Sequence, residues 1–244
     1  MTLRIAMWSG PRNISTAMMR SFSSRPDCFV CDEPFYGAFL KETGADHPMA
    51  DQVIASMETD WHRVAATLSG DPPDGSPVWY QKQMAHHMVG PLAPDDLNGL
   101  THAFLIRDPE RMAASYARKR ETVVPEDLGL GVQREFFDRE CQRLGHAPPV
   151  IDSAYVLAEP SGALSQLCWA LGIPWDEAML RWPAGRHPED GAWAPHWYGH
   201  VEASTGFEAV EAGEPPPLDP QLQAVADACM NDYLHLSRFA LRNA

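Results

Sequence analysis

The sequence is short of cysteine, of basic residues and of long hydrophobic runs. The five cysteines are an odd number spread over 244 residues, so no disulfide framework is expected and a reducing compartment fits better. No window approaches the roughly 18 consecutive apolar residues that a membrane-spanning helix requires. The apolar run at the start, Leu3 to Trp8, is too short for a secretory signal. We therefore expect a cytoplasmic protein.

Positive charge is scarce, because 19 Lys and Arg stand against 33 Asp and Glu and give a net charge of −14. Binding to nucleic acid or to an anionic membrane requires clustered cations that neutralise phosphates, so neither partner is expected. A small anionic ligand in a local basic pocket is compatible with this charge. The 45% of apolar residues excludes a disordered chain and is enough for one sizeable core.

Short apolar runs alternate with helical patterns along the chain. The predicted strands are Leu3–Trp8, Phe29-Val30, Val78–Lys82, Ala103–Ile106 and Val150-Ile151, and the predicted helices follow Asn13 and Pro109 or cover 49–68, 132–144, 162–171 and 221–241. Because parallel neighbours need long crossovers, this order predicts a single α/β domain over residues 1–244, with a central, mainly parallel sheet flanked by helices. Residues 182–220, rich in Pro, Gly, Trp and His, are predicted to be an irregular segment.

The first turn, Ser9 to Thr16, joins a strand to a helix. Such a loop lies at the carboxyl edge of a parallel sheet, where backbone N–H groups and the helix dipole favour an anion. Arg12 and the Ser15 and Thr16 hydroxyls suit the same purpose. The unit resembles a P-loop without its G-x-x-x-x-G-K-[ST] motif, because Ile14 and Ser15 stand where Gly and Lys would be needed. A surface turn with an incidental Arg is the alternative.

Three stretches, taken together, resemble the sulfotransferases that use 3′-phosphoadenosine-5′-phosphosulfate (PAPS). They are Pro11-Arg12-Asn13-Ile14-Ser15-Thr16, Arg107-Asp108-Pro109 with Ser115, and Ala158 to Pro174. In that family the first loop, P-[KR]-[SG]-G-[TS]-T, holds the 5′-phosphosulfate, and the Arg and Ser of the second stretch hold the 3′-phosphate. The resemblance implies PAPS as co-substrate, adenosine 3′,5′-bisphosphate as product, and a donor site of Gly10, Pro11, Arg12, Asn13, Ile14, Ser15, Thr16, Arg107 and Ser115.

The resemblance also places residues 182–220 where the family closes a segment over donor and acceptor; packing of its aromatic residues, Tyr198 among them, on the sheet is the preferred alternative. Ile14 stands where the family usually has Gly, a difference expected to affect how closely the loop approaches the donor. Arg107 and Ser115 also have a simpler explanation, in which Asp108-Pro109 starts a helix and Arg107 pairs with a carboxylate.

Sulfuryl transfer mainly requires alignment of the reactants and stabilisation of charge on the donor oxygens, which Arg12 can supply without a metal. The acceptor, a hydroxyl or amine of a small molecule, must also lose a proton to a base. Glu33 resembles the E-P element of carbohydrate sulfotransferases. His86 or His87, after Lys82, resembles the K-x-H element of cytosolic sulfotransferases, with two or three residues more between Lys and His.

We expect these two candidates to lie near the sulfur, because both follow strands of the predicted sheet. Glu33 and His86 rank level as the base, and with Arg12, Lys82 and His87 they complete the predicted catalytic set. The alternatives are that Glu33 caps a helix near Phe35, that the histidines lie in a solvated loop, and that Lys82 is an exposed strand charge.

Two other functions stay open from the sequence. A small-metabolite kinase would use ATP and Mg²⁺ on a similar scaffold, but the missing G-K-[ST] argues against it. A nucleotide-binding protein without catalysis would not need Glu33, Lys82 or His86. Cys28 and Cys31 have redox spacing, but they lie in an apolar stretch and no second pair completes a zinc site, so a structural role is preferred. The sequence predicts neither the acceptor nor the oligomeric state.

Overall fold

The computed structural model describes residues 2–118, 122–208, 215 and 217–242. Its strands are β1 (Leu3–Ser9), β2 (Cys28–Asp32), β3 (Val78–Met84), β4 (Thr101–Ile106) and β5 (Val150–Asp152). They form one sheet in the order β2-β3-β1-β4-β5. The pairs β2/β3 and β4/β5 are parallel, and Asp32 lies opposite Lys82 in the first pair. The predicted α/β fold, with a parallel sheet flanked by helices, is confirmed.

Helices separate these strands along the chain. They are α1 (Ser15–Ser23), α2 (Tyr36–Thr43), α3 (Ala50–Ser56), α4 (Trp61–Ser69), α5 (Pro109–Tyr116), α6 (Pro125–Leu128), α7 (Leu130–Leu144), α8 (Ser153–Ala158), α9 (Pro160–Leu171), α10 (Ala194–Trp197), α11 (Gly199–Ala203) and α12 (Pro220–Ser237). The first element is the predicted strand-loop-helix, with α1 beginning directly after the loop.

The prediction of one long helix over 49–68 is wrong, because the chain forms α3 and α4 with a break between them. A Glu58 carboxylate oxygen accepts the backbone N–H groups of Thr59 and Asp60, at 2.8 and 2.9 Å. Asp60 then caps α4 by accepting from the Arg63 backbone N–H at 2.9 Å. These carboxylates satisfy N–H groups that a continuous helix would have paired with carbonyls. The apolar periodicity alone does not reveal this break.

The chain divides into two compact units. The first consists of Met1–Met7, Thr16–Thr101 and Asp176–Gly206, and it contains β2 and β3 together with α2, α3 and α4. Its interior is apolar and aromatic, with Phe22 of α1 stacked on Tyr80 of β3 at 4.2 Å between ring centroids. Burial of such large rings supplies most of the hydrophobic stabilisation of a unit of this kind.

The second unit consists of Trp8–Ser15, His102–Trp175 and Phe207–Ala244. It contains β4 and β5 with α5 to α9 and α12, and α12 packs on α5 and α7. The buried Trp8 indole donates to His102 Nδ1 at 2.9 Å and meets Phe136 edge to face at 4.7 Å. That residues 1–244 form a single domain stays a prediction.

Residues 182–220 are only partly irregular, because α10 and α11 interrupt them. Residues 182–206 belong to the first unit, and one of their contacts within it is a buried ion pair. The Arg20 side chain of α1 is fully buried, and its Nη2 donates to Asp190 Oδ2 at 2.8 Å. Residues 209–214 and 216 lie outside the described residues. The predicted role of this segment as a cover over the acceptor stays a prediction.

Candidate active site

The first turn places Arg12 in an unusual backbone conformation. Arg12 has a φ of 55°, in the left-handed region that a non-glycine residue adopts at a cost of order 1 kcal/mol. Asn13 fixes the next residues, since its Oδ1 accepts from the Ile14 N–H at 2.9 Å and its Nδ2 donates to the Leu105 carbonyl at 3.0 Å. Ile14 is not among the residues with positive φ. The backbone therefore does not require glycine at the position where the family usually has it.

Gly10 is required on steric grounds. A Cβ at this position would lie 2.1 Å from the Leu128 carbonyl oxygen and 2.5 Å from Met112 Cε. Gln133 is fully buried beside it. With the amide oriented to satisfy both of its ends, its oxygen accepts from the Gly10 N–H at 3.2 Å and its nitrogen donates to the Leu105 carbonyl at 3.3 Å. The loop is thus held against the interior of the second unit.

The structure brings Arg12, Arg107 and Ser115 together, as the sequence predicted for a donor site. Arg12 Nε donates to Ser115 Oγ at 3.2 Å, and Arg107 Nη1 donates to the Arg12 carbonyl. Asp108 caps α5, accepting from the Glu110 and Arg111 N–H groups at 2.9 and 3.1 Å. Among the described residues, neither Arg12 nor Arg107 forms an ion pair with a carboxylate. The alternative in which Arg107 is neutralised by such a pair is therefore wrong.

These two arginines lie in a surplus of positive charge. Burial lowers the pKa of Arg12, and the nearby Arg118 lowers it further. Burial likewise lowers the pKa of Arg107, with further contributions from Arg111 and Arg12. The charges of Asp108 and Asp152 act in the opposite direction on Arg107. A guanidinium remains charged throughout the physiological range, so the neighbouring arginines favour a bound anion. Its position at the end of β4 suits a phosphate or sulfate group.

Lys82 is the centre of a separate polar cluster in the first unit. Its ammonium nitrogen lies 2.8 Å from Asp32 Oδ1, 2.7 Å from Glu33 Oε1 and 2.5 Å from the Tyr198 hydroxyl. The Lys82 and Asp32 side chains are 2% and 1% exposed, whereas the Glu33 side chain is 11% exposed. The alternative in which Lys82 is an exposed strand charge is therefore wrong. Two carboxylates share one ammonium, and Glu33 is the one that solvent reaches.

Two aromatic side chains complete this cluster. The Tyr198 hydroxyl donates to Asp32 Oδ2 at 2.7 Å, and the Trp193 indole N–H donates to the Tyr198 hydroxyl at 3.0 Å. The Gly191 N–H also donates to Asp32 Oδ2, at 3.3 Å. Both oxygens of Asp32, the Lys82 ammonium, the Tyr198 hydroxyl and the Trp193 N–H therefore all have partners, as a stable network of low dielectric requires.

The environment shifts the protonation equilibria of the cluster. Burial raises the pKa of Glu33, and the Lys82 ammonium opposes this while the Asp32 charge adds to it. Burial acts to lower the pKa of Lys82, but the charges of Asp32 and Glu33 outweigh it and raise the value. Burial also raises the pKa of Tyr198 well above 10, so the phenol stays neutral. A carboxylate with a raised pKa beside a permanent cation suits proton transfer near neutral pH.

Glu33 also has a strained backbone, with a φ of 43°. The backbone rather than the side chain of Glu33 meets α2, because its carbonyl accepts from the Tyr36 N–H at 2.9 Å. The α2 cap position is Phe35, without a side-chain hydrogen bond, so the interpretation of Glu33 as a helix cap is wrong. Left-handed non-glycine residues of this kind concentrate at functional sites.

His87 lies beside Glu33, with 4.0 Å between Nε2 and Glu33 Oε2. It is 2% exposed and stacks on the Tyr36 ring at 4.6 Å and on Phe39 at 4.7 Å, so it does not lie in a solvated loop. Burial, together with the neighbouring histidines and Lys82, lowers the pKa of His87 well below its usual value. His86 is half-buried and packs against His87, with 4.3 Å between ring centroids.

Sequence reasoning missed the role of Asp32 and treated Tyr198 mainly as a packing residue. In the structure, both contact the Lys82 ammonium directly. One signal was available for Asp32, because it ends β2 directly before Glu33; in the structure it pairs in register with Lys82 of the neighbouring β3. No signal was available for Tyr198, which reaches Asp32 from 166 positions further along the chain.

Other chemistry finds little support in the described part of the chain. Burial raises the pKa of both Cys28 and Cys31 to about 12, which favours the structural role predicted for them. No group of three or more metal-ligating side chains occurs among the described residues. Within the same residues, no helix has the length and apolar character needed to cross a membrane.

Comparison with known proteins supplies the family. A family model described as a sulfotransferase domain matches residues 3–234. Two curated Arabidopsis thaliana proteins, branched-chain-amino-acid aminotransferase-like proteins 2 and 1, are 37% identical over 205 residues and 38% identical over 206. Each alignment covers 84% of this chain but 36% of the relative, so the chain spans about a third of the length of these relatives.

Two solved structures share the fold at low sequence identity. A sulfotransferase from Alicyclobacillus acidocaldarius matches with a TM-score of 0.54 at 14% identity, covering 100% of this chain and 98% of that one. The sulfotransferase domain from the curacin biosynthetic pathway matches with a TM-score of 0.52 at 16% identity, covering 94% and 98%. These likenesses agree with the fold, and the match over residues 3–234 shows that the chain belongs to the sulfotransferase domain family.

Proposed function

We propose that this chain is an enzyme that transfers a sulfuryl group from PAPS to a hydroxyl or amine of a small molecule. Membership in the sulfotransferase domain family supports transferase activity in general. The observation that carries the choice of donor is the pair Arg12 and Arg107, which share a hydrogen bond and have no carboxylate partner among the described residues. PAPS carries two separate phosphate groups and a sulfate, whose negative charges would balance these two guanidinium groups.

The residues of the first turn fit such a donor. The α1 N-terminus presents backbone N–H groups that no helical carbonyl satisfies, together with the Ser15 and Thr16 hydroxyls. Gly10 to Ile14 form the loop before it, and Gly10 lets the backbone approach where a side chain would clash. We assign these residues to the 5′-phosphosulfate and Arg107 with Ser115 to the 3′-phosphate. Arg12 contacts Ser115, so we assign it to both groups.

We assign the base to Glu33. The acceptor oxygen or nitrogen forms a bond to sulfur while the bond from sulfur to the bridging phosphate oxygen breaks, and adenosine 3′,5′-bisphosphate leaves. The acceptor proton passes to Glu33, whose Oε1 is held by Lys82 while Oε2 receives no hydrogen bond from the described residues. Arg12 stabilises the charge that develops on the leaving phosphate. The role of Lys82 is to hold Glu33, since the ammonium itself is buried.

The choice of Glu33 over the histidines rests on basicity and position. Burial and neighbouring charges lower the pKa of His87 well below its usual value, so its ring is a weak base, and its contact with Glu33 Oε2 suits it to orient the carboxylate or the acceptor. His86 precedes His87 in the sequence, and its ring packs on Phe39 and His87. Substitution distinguishes the base from an orienting residue, because loss of the base removes the group that accepts the proton and lowers turnover most.

The acceptor is proposed only by class. The names of the two Arabidopsis thaliana relatives refer to amino-acid aminotransferases, which makes amino alcohols, amino acids and their hydroxy derivatives the first acceptors to screen. We further propose that the protein acts in the cytoplasm and needs neither a metal nor a nucleic-acid partner. The net charge of −14 supports the last point.

Ligand-dependent thermal stability tests the donor assignment. Wild type and Arg107→Ala are heated with adenosine 3′,5′-bisphosphate, with adenosine 5′-monophosphate, and with ATP plus Mg²⁺. A ligand at about a hundred times its dissociation constant stabilises the native state by about 2.7 kcal/mol. We expect stabilisation by the bisphosphate without Mg²⁺, and its loss in Arg107→Ala. Arg63→Ala is the matched control, because Arg63 is exposed and pairs with Glu58.

Other outcomes would contradict the proposal in distinct ways. A response to ATP with Mg²⁺, without one to the bisphosphate, would favour a kinase. Binding of the bisphosphate with no transfer of ³⁵S from labelled PAPS to any acceptor would favour a non-catalytic nucleotide-binding protein. Once an acceptor is found, Glu33→Gln should lower turnover by a factor of about a hundred or more, and His86→Asn by much less.

A further inference from the structure

We infer that Tyr198 is a positioning residue, whose hydroxyl fixes Asp32 and Lys82 and, through Lys82, holds the Glu33 carboxylate by Oε1 so that Oε2 stays open. This inference rests on the proposed role of Glu33 as the base. Tyr198 lies between α10 and α11, in the segment that sequence analysis assigned to acceptor covering or to simple packing. It is 5% exposed, and its hydroxyl makes four polar contacts, with Lys82, Trp193, Asp32 and Glu33.

The direction of these hydrogen bonds follows from the chemistry of the partners. The Lys82 ammonium and the Trp193 indole are donors only, so the Tyr198 oxygen accepts from both, at 2.5 and 3.0 Å. The one phenolic proton must then go to a carboxylate. Asp32 Oδ2 lies at 2.7 Å and Glu33 Oε1 at 3.5 Å, so Asp32 is the main acceptor.

Asp32 is thereby fully engaged. Its Oδ1 accepts from Lys82, and its Oδ2 accepts from Tyr198 and from the Gly191 N–H. These three hydrogen bonds hold Asp32 in place, Asp32 holds the Lys82 ammonium at 2.8 Å, and Lys82 in turn holds Glu33 Oε1 at 2.7 Å.

Glu33 is the member of the cluster that is left with an open oxygen. The charged and titratable groups that face it are Asp32 from β2, Lys82 from β3, His87 after β3 and Tyr198. None of these donates to Oε2 within hydrogen-bond distance, and His87 Nε2 lies 4.0 Å away. The contact between Tyr198 and Glu33 Oε1 favours the ionised form. Loss of the hydroxyl should make Glu33 easier to protonate.

Carboxyl titration by NMR tests this without donor or acceptor. The full chain is labelled with glutamate carrying ¹³C at the side-chain carboxyl, and the resonance absent from Glu33→Gln is assigned to Glu33. In Tyr198→Phe, which keeps the ring, we expect its titration midpoint to rise by about half a pH unit or more. Tyr155→Phe is the matched control, because it also removes a hydroxyl hydrogen bond, from Gln166, and should leave the midpoint unchanged.

Asp32→Asn separates positioning from loosening of the packing. The Asp32 charge raises the pKa of Glu33, so its removal should move the Glu33 midpoint to lower pH, opposite to the effect of Tyr198→Phe. Movement of both midpoints in the same direction, or an unmoved midpoint in Tyr198→Phe, would overturn the inference. Failure of the proposed function is a different result, in which Glu33→Gln retains full turnover whatever the titration shows.

Discussion

Arg12 and Ser115 are joined by a hydrogen bond across 103 positions of sequence, from a loop residue with a left-handed backbone to the last turn of α5. The Ser115 hydroxyl accepts the Nε–H of the guanidinium at 3.2 Å and so restrains the Arg12 side chain. A guanidinium fixed in this way loses less conformational entropy when an anion binds.

Ser115→Ala should therefore weaken binding of adenosine 3′,5′-bisphosphate. One hydrogen bond contributes about 0.5–1.5 kcal/mol, which corresponds to a loss of roughly two- to tenfold in affinity. Isothermal titration calorimetry of wild type, Ser115→Ala, Arg12→Gln and the double variant measures the coupling between them. Strict additivity of the two losses would show that Ser115 does not act through Arg12.

Lys82→Met should be among the most destabilising single substitutions of the first unit. It leaves Asp32 and Glu33 buried without their cation, and breaking a buried ion pair from one side costs about 3–5 kcal/mol. Urea denaturation at pH 7 measures the change in the free energy of unfolding. The double variant Lys82→Met with Asp32→Asn should recover part of the loss, because it removes one of the two stranded charges.

The loss of stability in Lys82→Met should depend on pH. Glu33 has a pKa raised above its ordinary value of 4.5, and removal of Lys82 removes the charge that opposes this rise. When the pKa of Glu33 is higher in the folded than in the unfolded state, the folded state binds more protons. The stability that Glu33 contributes is then fully present below pH 4.5 and is lost as the pH rises through its pKa in the folded state. The deficit of Lys82→Met relative to wild type should therefore grow from pH 4.5 upward. A deficit that is constant with pH would contradict this account.

Gly10→Ala should destabilise the second unit and impair ligand binding. The new methyl group meets a backbone carbonyl at 2.1 Å, which cannot move as a flexible side chain would, so the cost should approach the upper end of about 1–3 kcal/mol for overpacking. Gly131→Ala in α7 is the control. Its Cβ would meet Asp232 at an ordinary 3.5 Å, and we expect stabilisation of about 0.5–1 kcal/mol. Similar thermal melts for the two variants would show that Gly10 is not sterically required.

Cys28 and Cys31 should react slowly with iodoacetamide at pH 8 in the native protein. Burial raises the pKa of both thiols to about 12, so the reactive thiolate is scarce at that pH. Mass spectrometry after timed alkylation, with and without urea, gives the rates for each residue. Rapid native alkylation of either cysteine would restore the redox interpretation of their spacing.

The parts of this molecule that the sequence predicts best are those set by local patterns. Alternating apolar runs predict the strands and the α/β class, and the turn before α1 predicts the loop that contains Arg12, because each depends on residues within one turn or strand. The break at Asp60 was not predictable from apolar spacing, since two carboxylates compete there with helical hydrogen bonds.

The Glu33 cluster was predictable only in part. Glu33 and Lys82 each follow from a motif, but the motifs do not show that both are buried or that Asp32 shares the lysine. Tyr198 could not be inferred, because its hydroxyl bond to Lys82 depends on how a segment of low periodicity folds back. Long-range polar contacts of this kind leave no periodic trace in the sequence.

The position of Tyr198 along the chain also sets the order in which the Glu33 cluster is completed during synthesis. Tyr198 follows its partner Lys82 by 116 residues, so at about 5–20 residues per second the ribosome adds it roughly 6–23 seconds later. Until then the nascent chain carries two acidic groups and one lysine without the phenol and indole that later enclose them. A ribosomal pause between Lys82 and Tyr198 would prolong the exposure of these charges to water. Cleavage of the chain before Tyr198 would make that exposure permanent.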